Sequence, residues 1–387
     1  MFTSLRAACA GLAALIVAQT GFAQTAGFET RATSAYVRDL TTGVVLLEKN
    51  ADTPLPPASM SKLMTLLMLF EAIEDGRISL DTPFTVSERA HKMGGSRMFL
   101  EMRDRPTALD LIRGISVLSG NDAAVVVSEG LGGSEENFAR LATIRAREIG
   151  MNNTIVANAS GWPDPNHLFS KRDMGLLLEH IITQHPNFYP YLAEREFTWN
   201  GITQSNRVPL LTAGLGLDGG KTGFTSAAGY SLTASVAQGD RRIVFAFGGL
   251  ANETERRQEA EAIINWAFRQ FALFDIAQEG AEIAVAPVWL GASTTVPLVA
   301  GASARTLVPA LGPRDVAARV VYDSPIPAPI ARGDRLGELV VDVAGAGTTR
   351  VPLMAGADVA EGGFVIRAQA AASRLAGLVR SAALGTE

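Results

Sequence analysis

Between residues 59 and 73 the chain reads Ser-Met-Ser-Lys-Leu-Met-Thr-Leu-Leu-Met-Leu-Phe-Glu-Ala-Ile, apolar on most faces of any helix it forms. Such a helix has no broad face to offer water, so it is expected at the centre of a domain with other elements packed around it. Lys62, spaced among Leu63, Leu66, Leu67, Leu69 and Phe70, is carried into the same interior. The chain has the material to enclose it. Its 387 residues are 47% apolar, 19% charged and 7% aromatic, which leaves room for two or three domains and excludes wholesale disorder or a collagen-like repeat. A net charge of −5 provides no global basic surface for nucleic acid. The single cysteine, Cys9, excludes a disulfide framework and a multi-cysteine metal centre. The four histidines stand apart at 91, 167, 180 and 185, so neither a metal nor another cofactor is expected.

The first 23 residues read as an address rather than as structure. A short positive start ending at Arg6 precedes an uncharged apolar run over 7–18, and Gly21-Phe22-Ala23 is a small-x-small cleavage site. That is the layout of a secretory signal peptide, and the run is too short for a membrane anchor. A lipoprotein reading through Cys9 fails because the cysteine lies near the start of the apolar run. The expectation is an exported protein that is soluble or attached to a membrane only at its edge.

Two regimes of patterning follow. From about 30 to 275 helices and strands mix: strands around the turn Thr41-Thr42-Gly43, helices over 108–117, 122–129, 136–149 and 171–182, strands over 230–236 and 242–248, and a long helix over 253–271. From 276 to about 366 the helical period vanishes. Short alternating runs such as 338–343 and 350–353 sit between Gly and Pro, as in a small all-β domain. The last segment, 367–387, places Leu375, Leu378, Val379, Ala382 and Ala383 at amphipathic spacing beside Arg367, Arg374 and Arg380. It is read as a tail lying on a membrane surface, against the alternative of an Ala-rich helix packed on the β domain.

Three short motifs carry the chemistry. Ser59 and Lys62 are the only Ser-x-x-Lys pair in the chain, and their i, i+3 spacing puts hydroxyl and amine on one helical face. A serine needs a base to act as nucleophile, and a lysine serves if burial or a neighbouring cation lowers its pKa. A lone pair of this kind is more often a helix cap beside a surface lysine; the apolar surroundings argue otherwise here. Ser119-Gly120-Asn121 lies in a helix–helix connection, where the hydroxyl can relay a proton and the amide can hold a substrate carbonyl. Alone it is ordinary turn chemistry. Lys221-Thr222-Gly223 reads as the opening of a strand that offers a cation and a hydroxyl to a carboxylate, with glycine admitting a substrate backbone. Its bland alternative is a turn with a solvated lysine. Only five of 34 basic residues are lysines (49, 62, 92, 171, 221), and two of them fall inside these motifs.

In this order the motifs resemble the penicillin-recognising serine acyltransferases. The stretches 58–65, 119–123 and 218–225 are similar to the low-molecular-mass penicillin-binding proteins that act as D-alanyl-D-alanine carboxypeptidases. The resemblance implies an α+β fold: a β-lactamase/transpeptidase-like catalytic domain over 24–275, with an antiparallel sheet and an all-helical subregion, then a small all-β domain over 276–366. It implies Ser59 as acylated nucleophile, Lys62 as general base, and Ser119 and Asn121 on the opposite wall, shuttling protons and holding the peptide. Lys221, Thr222 and Thr225 would bind the terminal carboxylate of D-Ala-D-Ala, assisted by Arg256 in preference to its neighbour Arg257. Gly223 precedes Phe224, whose backbone N–H would complete the oxyanion hole with that of Ser59. The implied partners are peptidoglycan stem peptides and, as covalent inhibitors, β-lactams. The implied location is the periplasm, on the outer face of the cytoplasmic membrane where the tail attaches.

Alternatives on the same fold are a murein DD-endopeptidase, a β-lactamase and a non-enzymatic cell-wall binder. A class A β-lactamase needs a glutamate-activated water, and residues 151–178 contain no glutamate. A binder has no use for a nucleophile–base pair. Asp164 and His167 in the same stretch are read as structural.

Overall fold

The computed structural model describes residues 28–364 apart from 312–314 and 345, together with 368 and 372. The expected leader, 1–23, and the expected membrane-surface tail, 367–387, lie outside the described residues, 368 and 372 aside. The chain opens with the hairpin β1 (Ser34–Asp39) and β2 (Val45–Lys49). A 3-10 turn (Ala58–Ser61) then leads directly into α1 (Lys62–Glu74). Four more helices follow: α2 (Glu88–His91), α3 (Ala108–Ser116), α4 (Asn121–Gly132) and α5 (Glu135–Glu148). Next come α6 (Lys171–Gln184), the hairpin β3 (Glu196–Trp199) and β4 (Ile202–Ser205), and the long strands β5 (Leu217–Thr225), β6 (Gly229–Gln238) and β7 (Arg241–Leu250). α7 (Glu253–Gln270) ends this part.

The helices begin where side chains can replace missing backbone partners. Ser87, Thr107, Ser134, Ser170 and Asn252 each accept the backbone N–H three residues on, capping α2, α3, α5, α6 and α7. α1 has no such cap, because its first turn is the 3-10 turn. The helix expected over 59–73 thus begins in the tighter geometry, and Ser59 is displaced from the α-helical screw of the residues after it.

Strands β2-β1-β7-β6-β5 form one antiparallel sheet. Along β7, Ile243, Phe245 and Phe247 pack with Ala260, Ile263 and Ile264 of α7, while Val244 and Ala246 face the helical core on the other side. That core surrounds α1: Leu63, Leu66, Leu67, Leu69 and Phe70 are fully buried among residues of α3, α4, α5 and α6. At about 25 cal/mol per Å² of apolar surface removed from water, this helix is a principal source of stability for the domain.

The all-β part starts at Phe271, ahead of residue 276, where the composition changes. It comprises β8 (Phe271–Ala277), β9 (Glu282–Trp289), β10 (Thr295–Ala300), β11 (Ala304–Pro309), β12 (Val316–Tyr322), β13 (Ile326–Pro327), β14 (Arg335–Val343) and β15 (Gly347–Ala355). β8 pairs with β11, and the others form a six-stranded sheet in the order β12-β14-β15-β10-β9-β13. Arg241 joins the two parts. It donates to Asp39 Oδ2 at 2.5 Å and to the carbonyls of Ala267 and Phe271 at 2.7 and 2.9 Å.

Candidate active site

The 3-10 turn sets Ser59 at the edge of a cleft of about 650 Å³ between the main sheet and the helical core. Two non-glycine residues at this cleft hold left-handed backbone, Ala58 at φ 51° and Ser119 at φ 60°. Such conformations cost on the order of 1–3 kcal/mol and concentrate where function requires a fixed aim. The turn is clamped from both sides. A Cβ on Gly161 (φ +78°) would lie 2.0 Å from the carbonyl oxygen of Ala58, and one on Gly223 would lie 2.9 Å from that of Pro57. The clearance at Gly223, expected to admit a substrate backbone, is therefore taken up by the turn carrying Ser59.

Lys62 is fully buried. Its Nζ lies 2.9 Å from Ser59 Oγ, 2.6 Å from Asn121 Oδ1 and 2.5 Å from the carbonyl oxygen of Ser160. Burial holds its pKa well below the ordinary lysine range. The charge of Lys221 lowers it further, Asp122 acts in the opposite sense and Arg207 adds to the lowering. Asn121 is braced as well as bracing, since its Nδ2 donates to the carbonyl of Gly94 at 2.8 Å. Its carbonyl is spent on the lysine, and the side chain is first of all a bracket for Lys62.

Lys221 departs from its expected place. It lies in the middle of β5 instead of opening a strand, because the ladder with β6 already runs from Leu217 through Gly219 and Gly220. Its side chain is 1% exposed and stands behind the cleft wall, where Nζ donates to Ser119 Oγ at 2.9 Å. Burial pushes its pKa down to about 7, with the charges of Arg207 and Arg256 adding to the effect. Ser119 is thus tied to Lys221, and Asn121 to Lys62. Thr222, Gly223, Phe224 and Thr225 line the cleft along β5. Phe224 is half-exposed at its mouth, against Tyr230 at 4.2 Å between ring centroids.

Arg256 also lines the cleft, and Arg257 does not. Its guanidinium lies over Tyr230 at 5.5 Å, with Glu253 at 3.5 Å, and its Nε is buried without a hydrogen-bond partner. A buried cationic donor left unpaired at a cleft wall is suited to an anionic ligand. Sequence reasoning missed Arg207, Glu253, Trp162 and Tyr230 on the walls and the Ser160 carbonyl on Lys62. It also missed the buried Asp122, whose carboxylate accepts the N–H groups of Met98, Leu100 and Ala123. An acid in the first turn of α4, directly after Ser-Gly-Asn, was the signal available for that one. A second, mostly apolar recess of about 380 Å³ adjoins the cleft between Pro56–Ala58 and 161–165. His167 borders it, with Nδ1 accepting from Ala157 N–H at 2.9 Å and burial holding its pKa down to about 4.

Comparison with known proteins gives the constellation a family. Residues 19–247 match the S11 peptidase family, described as D-alanyl-D-alanine carboxypeptidase. The chain belongs to that family. Residues 271–361 match the C-terminal domain of penicillin-binding protein 5. The D-alanyl-D-alanine carboxypeptidase DacC of Escherichia coli (strain K12) is 34% identical over 372 residues, 93% of each chain. The crystal structure of penicillin-binding protein 5 from Haemophilus influenzae superposes with a TM-score of 0.78 at 32% identity, covering 87% of this chain and 99% of that one. Penicillin-binding protein D2 of Listeria monocytogenes in its ampicillin-bound form matches 62% of this chain and 99% of its own, with a TM-score of 0.58 at 26% identity. The fold read from the motifs, a catalytic domain of sheet and helices followed by an all-β domain, is the fold of this family. The chain is accordingly a serine peptidase, a hydrolase with a cell-wall role.

Among the described residues, no helix is long and apolar enough to cross a membrane. Two of the four histidines set apart in the sequence are brought together. His185 caps the end of α6 at φ −124° and ψ 50°, which folds its ring back to within 5.5 Å of that of His180.

Proposed function

We propose that the chain is a serine-type D-Ala-D-Ala carboxypeptidase that removes the terminal D-alanine from peptidoglycan stem peptides through an acyl-enzyme on Ser59. The observation that carries this reading is the hydrogen-bond set of Lys62. A neutral amine has two N–H donors and one lone pair. Asn121 Oδ1 and the Ser160 carbonyl take the two donors, and the lone pair is left for the hydroxyl proton of Ser59. The same three partners also satisfy the three donors of an ammonium, and it is burial that favours the unprotonated form.

Ser59 Oγ attacks the carbonyl of the penultimate residue while its proton passes to Lys62 Nζ. The N–H of Ser59, at the start of a helical turn with no acceptor before it, and that of Phe224 hold the developing oxyanion. Ser119, tied to Lys221, is placed to relay the proton taken up by Lys62 to the departing D-alanine nitrogen, which leaves Lys62 unprotonated again. The terminal carboxylate lies against Thr222 and Thr225, with Arg256 and Arg207 supplying charge. Lys221 contributes its field and its hold on Ser119 from behind the wall. After D-alanine leaves, water enters on the freed side, Lys62 takes its proton, and that proton returns to Ser59 Oγ as the ester breaks.

With benzylpenicillin the leaving group stays tethered and blocks that side. Glu253, which lines the cleft, is exposed and lies by Arg256. The adduct on Ser59 is therefore expected to outlast the peptide acyl-enzyme by orders of magnitude, at about 1.4 kcal/mol of barrier per tenfold. Intact-mass measurement over time, after removal of excess drug, checks this. A single adduct mapping to Ser59 and lost slowly, with D-alanine release from a D-Ala-D-Ala peptide, is expected. Rapid turnover of penicillin without a trappable adduct shows a β-lactamase, and cleavage of cross-linked dimers in preference to stem peptides shows an endopeptidase. The leader over 1–23, a periplasmic location and a membrane-surface tail complete the proposal. Equal partition onto anionic vesicles of the full chain and of one ending at Gly363 overturns the last part.

A further inference from the structure

The end of α1 remote from Ser59 carries chemistry that acyl transfer does not use. Glu71 and Glu74 face His180 of α6 and His185 at its cap. Nδ1 of His185 lies 2.7 Å from Glu74 Oε2, which places the proton on Nδ1 and leaves Nε2 with a free lone pair. The Nε2 atoms of both histidines are buried and have no hydrogen-bond partner. They lie 4.0 Å (His180) and 3.9 Å (His185) from Glu71 Oε1, too far for a hydrogen bond. The two nitrogens and the carboxylate oxygen all fall within 4.8 Å of one another.

We propose that Glu71, His180 and His185 bind a divalent transition-metal ion of the zinc class. Two imidazole nitrogens and one carboxylate form the donor set that zinc takes, whereas magnesium and calcium prefer oxygen. Bonds of about 2.0–2.1 Å at a tetrahedral angle put donors roughly 3.3 Å apart. Closing from separations of 3.9 to as much as 4.8 Å needs each donor to move by roughly 0.6 Å. The Glu74–His185 hydrogen bond is the outer contact that fixes a ligating imidazole in one tautomer. Glu71 and His180 are 17% and 21% exposed at their side chains, which gives an ion a way in and water a fourth position.

The surrounding charge suits a dication. Arg145 already donates to Glu71 Oε1 from Nε and Nη2 at 2.8 Å, and it also pairs with Glu148 at 3.0 Å. Glu71 and Glu148 face this guanidinium and Glu74 faces His185, so three carboxylates and one guanidinium leave two negative charges for the ion to balance. The site cross-braces the end of α1 to α6 and, through Arg145, to α5. It stands about 18 Å along the helix from Ser59 at 1.5 Å per residue, so its role is to hold the helical core and not to assist the reaction.

The test uses the full chain without a histidine tag, stripped by chelator, loaded with zinc, desalted and counted by plasma mass spectrometry. About one zinc per chain is expected, together with a rise on the order of 5 °C in the unfolding temperature that magnesium does not reproduce. Both effects are lost in Glu71→Gln and His180→Gln, while the rate of acylation by penicillin is unchanged. Retention of less than about 0.1 zinc per chain overturns the proposal. Equal zinc in wild type and His180→Gln also overturns it. Cobalt loading of the wild type needs no variant: the intense visible bands of four-coordinate cobalt(II) are expected, and the weak bands of the hydrated ion overturn the site.

Discussion

The part of the chain up to Gln270 and the part from Phe271 treat charge in opposite ways. In the first, Asp39, Lys62, Asp122, Lys171, Asp173, Lys221, Arg241 and Arg256 are all buried. In the second, the buried polar side chain among the described residues is a neutral one, Thr306. Charged groups there pair on the surface, as in Arg319–Asp342 and Arg350–Glu338. Placing a charge in a low-dielectric interior costs several kcal/mol, and apolar residues of similar volume are often the more stable choice. The β part makes that choice throughout. The catalytic part departs from it at the cleft, at Lys62, Lys221 and Arg256, and also away from the cleft, at Lys171 and at the Asp39–Arg241 pair that joins the two parts.

The largest effect expected is at Lys62. Lys62→Arg keeps the charge but places a group that does not give up its proton where a base is required. Loss of general-base action lowers rates by about 10²–10⁴, and the larger guanidinium must also fit a fully buried site. The acylation rate of Lys62→Arg by a chromogenic β-lactam, measured by burst kinetics, is expected to fall by at least about 10³. With Lys62 as the proposed base, wild-type acylation should itself rise with pH, because the unprotonated amine would be the reactive form and burial lowers its pKa. Comparable rates for the two proteins break the assignment.

Lys171 sharpens the comparison, because it is buried without a catalytic task. Burial alone pushes its pKa down to about 8. Its folded-state pKa is below the unfolded value of 10.5, so the native state holds fewer protons between about pH 8 and 10.5 and stability rises with pH across that window. Below pH 8 the full penalty applies. Lys171→Met is therefore expected to stabilise the protein by about 2–3 kcal/mol at pH 7, a gap that closes by about pH 10.5. Denaturant unfolding of both proteins at the two pH values checks it, and a pH-independent difference contradicts it.

Next in size is Arg256→Ala. A charge-assisted hydrogen bond to a carboxylate contributes about 1.5–3 kcal/mol, so kcat/KM for a D-Ala-D-Ala peptide should fall by roughly 10–100-fold. A peptide ending in an amide should lose far less. Equal losses for acid and amide would place Arg256 in the scaffold instead of against the terminal carboxylate.

Much of this arrangement was legible in the residues because its signals are local. The apolar faces of 59–73 and the Ser-Gly-Asn break between two helices each determine an element within one window. The three motifs then meet in a single cleft. What was not legible depends on which distant segments touch. Ser160 acts on Lys62 through a backbone carbonyl, which has no side-chain signature. From sequence Lys221 reads as the start of a strand after Asp218-Gly219-Gly220, yet pairing with β6 carries the ladder through those glycines. Residues 180 and 185 are five apart, outside the i+3 and i+4 neighbours of a helix, and they meet only because His185 leaves helical geometry at the cap.

The smallest effect belongs to the β part and tests the other side of the comparison. Arg319 stands opposite Val340 and pairs diagonally with Asp342 across β12 and β14, with Arg319 57% and Asp342 36% exposed at the side chain. Water screens both groups, and holding two flexible side chains together costs entropy that offsets the attraction. Exposed pairs accordingly contribute about 0–1 kcal/mol. Asp342 retains a second partner in Thr348, whose hydroxyl donates to Oδ1 at 2.5 Å, so loss of the arginine leaves no orphaned buried charge. Arg319→Ala should change the unfolding free energy by less than about 0.5 kcal/mol. The acylation rate should not move. A loss above about 2 kcal/mol would mean that charge supports this region as it does the other, and the contrast between the two halves would no longer hold.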